Sequence, residues 1–249
     1  MPITIGNGIT LGPGVTITPF GVVSNTDGSV QLSGNNYLSV PAGQSGQITN
    51  MGVNDFTWEC FVYPTINTSY QTFIDTRTQP IGGDTTGFFF GTASGSYAPI
   101  VYANSLLLTS TRLLTVNAWN HVALTRSSGT LTIWINGVES GSQSGINMNL
   151  SQQRVFIGGS TNSALDTTGY ISNVRMVNGI AVYTGAFITP TSRLLSSQGG
   201  GTNTSAITSA QTALLLDTTY GDGFLVDSSI YALTVNNNNN VTNSTLKPF

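Results

Sequence analysis

The chain has 249 residues, of which only 7% are charged, against about a quarter in an ordinary soluble domain. Its formal net charge is -3 and its basic residues are scattered singly, with Lys247 the sole lysine, so nothing resembles the footprint of a nucleic-acid partner. No apolar run approaches the roughly 20 residues of a membrane span, so no membrane insertion is expected, and the 39% hydrophobic content is spread widely enough for a packed core.

Residues 1–24 read as an extended N-terminal arm. Within them ITIGNGITLGPGVTI, residues 3–17, repeats every six residues: apolar, Thr, apolar, then a Gly-x-Gly turn. Short isolated strands are marginal in water, so this segment has β-propensity but no core of its own. Fully extended, about 15 residues reach roughly 50 Å, enough to lie on a neighbouring subunit. The arm is expected to control assembly by adding to a sheet edge, with Ile3, Ile5, Ile9, Leu11, Val15 and Ile17 as the apolar contacts. Whether that edge belongs to another protein or to a sister copy stays open. The opening MPITIGNG lacks the basic and apolar regions of a secretory signal, so sequons such as those at Asn67 and Asn149 carry no weight.

Residues 25–198 are a succession of short strands separated by turn residues, with no sustained helical period, and predict an all-β antiparallel sandwich. In WNHVALTRSSGTLTIWINGVESG, residues 119–141, Val122 and Leu124, then Leu131, Ile133 and Ile135, alternate with other residues at period two. Ser127-Ser128-Gly129 supplies the turn between them, and Asn136-Gly137 a second reversal. His121, the one histidine, falls on the face opposite Val122 and Leu124 and reads as a packing residue. The AVYTG run at 181–185 suggests a single helical turn. Residues 199–211, GGGTNTSAITSAQ, read as a flexible linker. Residues 212–249 return to strand patterns and are expected to pack on the sandwich, with Asn236 to Asn240 as a polar loop.

The blocks FTWECFVYP, AWNHVALTRSSGTLTIWINGV, VFIGGS and GYISNVRMVNGIAVYTGAFITPTSRL occur in this order across about residues 28–195. Together they resemble the laminin-G-like, concanavalin A-like sandwich modules of virion proteins from tailed bacteriophages, those of cyanobacteria among them. The segment from Thr212 onward resembles one that lies between successive modules in such proteins. The resemblance implies a jelly-roll of two stacked antiparallel sheets, one of them curved. It also makes Trp119, His121, Val122, Ala123 and Arg126 a recurring structural strand block, so His121 is a scaffold residue. The function implied is that of a non-enzymatic virion structural protein, first of all a capsid decoration protein held by its arm on the virion surface. Its partners would be phage capsid or tail proteins and copies of itself as a homo-oligomer. The alternatives are a tail or fibre component, or a carbohydrate-binding module for a host surface glycan.

Some concanavalin A-like proteins hydrolyse glycosides, which requires two carboxyl groups about 5 to 10 Å apart in one cleft. The only glutamates are Glu59 and Glu139, and Glu59 has no carboxylate two or three residues away, so no catalytic residue is assigned. Cys60 is alone, which rules out an intrachain disulfide and reads as a buried thiol. No cofactor is expected. Ca²⁺ is the one ion to consider, with Asp75, Asp84, Asp166, Asp217, Asp222 and Asp227 available, but they form no dense ligand loop and read as turn residues. Alternation in FTWECFVYP puts Phe56, Trp58, Cys60 and Val62 on one face, and Thr57, Glu59, Phe61 and Tyr63 on the other. If the first set is core, Glu59, Phe61 and Tyr63 form a saccharide-binding face, or Phe61 and Tyr63 are covered by the C-terminal strands or by another subunit.

Overall fold

Period-two alternation becomes strand wherever a turn signal bounds it, in a computed structural model that describes residues 3–5, 9–11, 26–44, 51–77, 86–151, 154–220 and 225–249. The first strands are β1 (Ile3–Ile5), β2 (Ile9–Leu11), β3 (Thr26–Asp27), β4 (Ser29–Ser33), β5 (Tyr37–Val40), β6 (Phe56–Pro64) and β7 (Gln71–Asp75). There follow β8 (Phe89–Thr92), β9 (Pro99–Tyr102), β10 (Leu106–Thr109), β11 (Asn120–Ser127), β12 (Thr130–Ile135), β13 (Val138–Gln143), β14 (Val155–Ile157) and β15 (Thr168–Asn178). The last are β16 (Thr212–Asp217), β17 (Thr219–Tyr220), β18 (Val226–Asp227), β19 (Asn236–Asn238) and β20 (Thr242–Ser244). One 3₁₀ turn, Ser163–Leu165, is the sole helical element among the described residues.

Two antiparallel sheets form a sandwich, as the alternation predicts. One has seven strands in the order β10-β9-β8-β7-β14-β5-β19. The other has nine: β13-β12-β11-β6-β15-β16-β18, with β4 beside β15 and β20 beside β4. Trp58, Phe56, Cys60, Val62, Val122 and Leu124 of the second sheet share one core with Phe73, Phe90, Val155 and Ile157 of the first and with Phe88, just ahead of β8. Each such side chain, fully buried, contributes on the order of 1.5 to 3 kcal/mol.

The two hairpin turns are those the sequence predicts. Ser128-Gly129 and Asn136-Gly137 all have positive φ, at 48°, 77°, 50° and 76°, which matches the twist of the flanking strands. Gly137 has a second reason to be glycine, because a Cβ there would sit 2.0 Å from the Phe187 carbonyl oxygen. Arg126 closes the far end of β11 by donating to the carbonyls of Gly52, Asn54 and Met148 while lying over the Phe56 ring.

The structure departs from the expectations in the layer outside the nine-stranded sheet. β6 and β11 are buried on both faces, because residues 180–211 and Phe249 form a cover over them. The AVYTG run is not a helical turn: Tyr183 bridges Thr204 as extended chain. Residues 199–211 are not a linker either. Gln198 and Ile207 exchange backbone hydrogen bonds, Gly201 pairs with Thr204, and the buried Ile207 packs against Trp134 and Val182. Their Gly, Ser, Thr and Asn content serves tight turns and side-chain bonds, such as Ser205 Oγ to the Ala181 carbonyl.

The C-terminal segment joins both sheets, since β16 and β20 extend the nine-stranded sheet and β19 the seven-stranded one. The asparagine tract is strand as well as loop. Asn236–Asn238 pair with β5, Asn239 and Asn240 turn the chain at φ 57° and 61°, and Asn237 bonds both the N–H and the carbonyl of Val241. At the other end of the chain, β1 and β2 fold back on each other, Ile3 opposite Leu11 and Ile5 opposite Ile9, and pair with no other described strand. Val15 and Ile17 lie outside the described residues. β3 pairs with β17 in a separate two-stranded sheet, where Arg193 bridges Asp27 and Asp217, and the chain then enters the sandwich at β4.

Candidate functional site

The outward set of FTWECFVYP lies on the outer face of the nine-stranded sheet, and its neighbours follow from register. Glu59 stands opposite Ala123 on β11 and Arg175 on β15, Phe61 opposite His121 and Ser172, and Tyr63 opposite Tyr170. A bulge at Asn173, φ 53°, adds one residue between Ser172 and Arg175 and so brings Arg175 level with Glu59.

Glu59 is the centre of a sealed ionic cluster. Its Oε1 accepts from Arg175 Nε at 2.8 Å, and its Oε2 accepts from the Tyr183 hydroxyl at 2.6 Å and lies 3.0 Å from His121 Nε2. Arg175 also donates through Nη1 to the Leu195 carbonyl and to Gln198 Oε1, both in the cover. Glu59 and Arg175 are 0% exposed and His121 1%. Burial by itself pushes the Glu59 carboxyl up, but Arg175, then His121 and Tyr183, outweigh it and hold it down at about 2. Burial, and next the Glu59 charge, push the Tyr183 phenol up. His121 is enclosed by the rings of Phe61, Tyr183 and Phe187, the last two stacked 3.6 Å apart.

This corrects the saccharide-face expectation for two of its three residues. Glu59 is ion-paired and sealed, and Phe61, 3% exposed, is packed by Leu194, Leu215 and Phe249. Glu139 lies in the same cross-strand row as Glu59, but Trp134 and Ala123 stand between them. Three strand spacings separate the two carboxylates by about 14 Å, beyond the reach of a glycosidase pair.

Tyr63 is the member left open. The cover stops at the row His121, Phe61, Ser172, and the next row carries Trp119, Tyr63, Tyr170, Gln31 and Thr242. Trp119, Tyr63 and Tyr170 are half-buried, and Gln31 and Thr242 are exposed. The Tyr63 ring meets Trp119 edge to face at 5.6 Å and Tyr170 at 5.7 Å. The sequence assigns Trp119 to a structural strand block by resemblance and does not single out Tyr170. Alternation in GYISNVRMVN, with Ile171 inward and Tyr170 outward, is the signal that could have found the second.

The aspartates are engaged in protein bonds. Asp227 accepts from the N–H groups of Leu215, Ser229 and Leu233, Asp166 from Ser160, and Asp75 pairs with Arg77. Asp84 and Asp222 lie outside the described residues. Among the described residues no three His, Cys, Asp or Glu side chains converge on a metal position. Cys60 is buried in the core, which pushes its thiol up and leaves it unreactive.

Two stacked antiparallel sheets with a sealed outer layer and one open aromatic row define a jelly-roll β-sandwich module. A family model described as the concanavalin A-like lectin/glucanases superfamily matches residues 32–182, and the chain belongs to that superfamily. No curated protein sequence matches it. Among solved structures it is similar to a protein from Bacteroides ovatus provisionally described as carbohydrate binding, at 19% identity and a TM-score of 0.59. The match covers 89% of this chain and 60% of that one. It is also similar to the heptameric SAP-like pentraxin of Limulus polyphemus, at 14% identity and TM-score 0.47, over 64% of this chain and 80% of that one. A third similar structure is the CBM40 of the Ruminococcus gnavus IT-sialidase bound to α2,3 sialyllactose, at 15% identity and TM-score 0.47, over 59% of this chain and 86% of that one. At such identities the likeness is one of fold.

Proposed function

We propose that the protein is a non-catalytic structural component of a tailed-phage particle, a capsid decoration protein held by its N-terminal arm. The observation that carries the non-catalytic reading is Glu59: the carboxylate on the central strand is buried, ionised and tied to Arg175 under a packed cover. The phage context is supported by the sequence blocks that resemble virion modules, by the sparsely charged composition and by a β-branched repeat ahead of the sandwich. The arm pairs only with itself among the described strands, so its hairpin edges are available to a capsid subunit or to a sister copy.

The test is made on particles. Quantitative mass spectrometry of purified virions is expected to find a copy number on the scale of the capsid lattice, and the few copies of a tail or fibre component would move the protein there. Deletion of residues 1–20 is expected to leave a folded protein that no longer binds particles or self-associates. Unchanged binding and assembly would rule out the arm.

Carbohydrate binding is a second reading, favoured by the uncovered row at Tyr63, and the description of the Bacteroides protein that shares the fold accords with it.

A further inference from the structure

We propose that Trp119, Tyr63, Tyr170 and Gln31 form a binding strip for a neutral saccharide chain lying across β6, β15 and β4. The proposal rests on the carbohydrate reading and gives it a site and a ligand class.

Placement comes first. Val62, Ile171 and Val30 point into the core, so Tyr63, Tyr170 and Gln31 point outward, and register puts these three side by side. The row crosses neighbouring strands and, with Trp119 beyond Tyr63, measures about 14 Å, enough for a short oligosaccharide. On one side the strip is bounded by the cover, where Phe249 packs edge to face on Phe61.

Preorganisation is next. Tyr63 is held between two rings at 68° and 85°, so the aromatic surfaces are set before a ligand arrives and little rotamer freedom is lost on binding. The Tyr63 and Tyr170 hydroxyls and the Gln31 amide make no hydrogen bond with other described residues, in a protein whose outer-layer polar groups are otherwise heavily used.

The chemistry selects the ligand class. Aromatic faces take the C–H faces of a sugar ring, while phenol and amide groups take its hydroxyls. No member of the row is charged, and the chain's net charge of -3 disfavours polyanions. Single-stranded nucleic acid also stacks on aromatic rings but needs a basic groove, which the row lacks. A protein partner needs about 800 Å² on each side, far more than one row of side chains offers.

The experiment is calorimetric titration of the full chain with neutral oligosaccharides (glucans, mannans and galactans), with sialylated and sulfated oligosaccharides in parallel. At least one neutral oligosaccharide is expected to bind, with Tyr170→Ala and Gln31→Ala each leaving the melting temperature near that of the parent. Tyr170→Ala is expected to weaken binding about tenfold, the scale of one lost aromatic stack, while Ile188→Ser on the cover leaves it unchanged. If Tyr170→Ala fails to fold, Gln31→Ala, at an exposed position, carries the test. Saccharide binding undiminished by Tyr170→Ala and Gln31→Ala would overturn the strip and leave the carbohydrate reading standing. Binding confined to the anionic oligosaccharides would overturn the neutral class, and no binding to any saccharide at millimolar concentration would overturn both.

Discussion

Glu59 and Arg175 stand opposite each other on adjacent strands, Arg175 Nε 2.8 Å from Glu59 Oε1, and neither is reached by solvent. Both occupy positions that alternation assigns to the outside of the sheet. Their burial marks a second packed layer, in which the cover is attached to the sheet through polar groups as well as apolar ones. Thr57 has the same role beside them, donating to the Ile180 carbonyl and accepting from Val182 N.

Removing one partner of this pair should be costly. Glu59→Ala leaves Arg175 charged and buried, and a loss of about 3 to 5 kcal/mol is expected, read as a lower urea midpoint. The double variant Glu59→Leu with Arg175→Met should lose less than the sum of the two single changes, because no uncompensated charge remains. Additive losses would show that the pair does not act as a unit.

The same carboxylate sets a pH dependence. Its folded pKa of about 2 lies below its ordinary 4.5, so its contribution to stability is complete above pH 4.5 and is lost as the pH falls through that value toward 2. Denaturation midpoints measured from pH 6 down to 2 should fall less steeply in Glu59→Gln than in the parent. An identical slope in the two proteins would contradict this assignment.

Gly137→Ala should destabilise the hairpin by more than about 1 kcal/mol, since the position needs positive φ and the new methyl meets the Phe187 carbonyl. Gly145 has a similar φ, 80°, but nothing within 4 Å of its Cβ position. Gly145→Ala therefore isolates the backbone strain, and a thermal melt of both variants separates the two causes.

Chelation should leave the melting temperature unchanged, and added Ca²⁺ should not raise it, because Asp75, Asp166 and Asp227 are already committed to Arg77 and to backbone N–H groups. A rise that grows with Ca²⁺ concentration would reveal a site that includes other residues.

Local signals carried the sandwich. Val122, Leu124, Leu131, Ile133 and Ile135 could be assigned to one buried face, and Asn136-Gly137 to a turn, because strand pleat and turn conformation depend on residues a few positions apart. The saccharide face was legible only in part. Tyr63 could be placed on the outer face, but not Glu59 and Phe61 beneath a cover, since what lies over a sheet face depends on chain more than a hundred residues away.

The run at 199–211 shows the same limit from the other side. Its glycines, serines and threonines have the composition of a flexible linker, yet Ile207 is buried and the segment is bonded to 181–198. By itself the sequence determined the central strands of the sandwich, where their hairpins turn and which face is apolar, because those follow from backbone geometry and period. Only the tertiary structure decided that the opposite face of β6 and β11 is buried too, that Arg175 neutralises Glu59 there, and that the covering stops one row short of Tyr63, because each of these is a meeting of segments that share no local pattern.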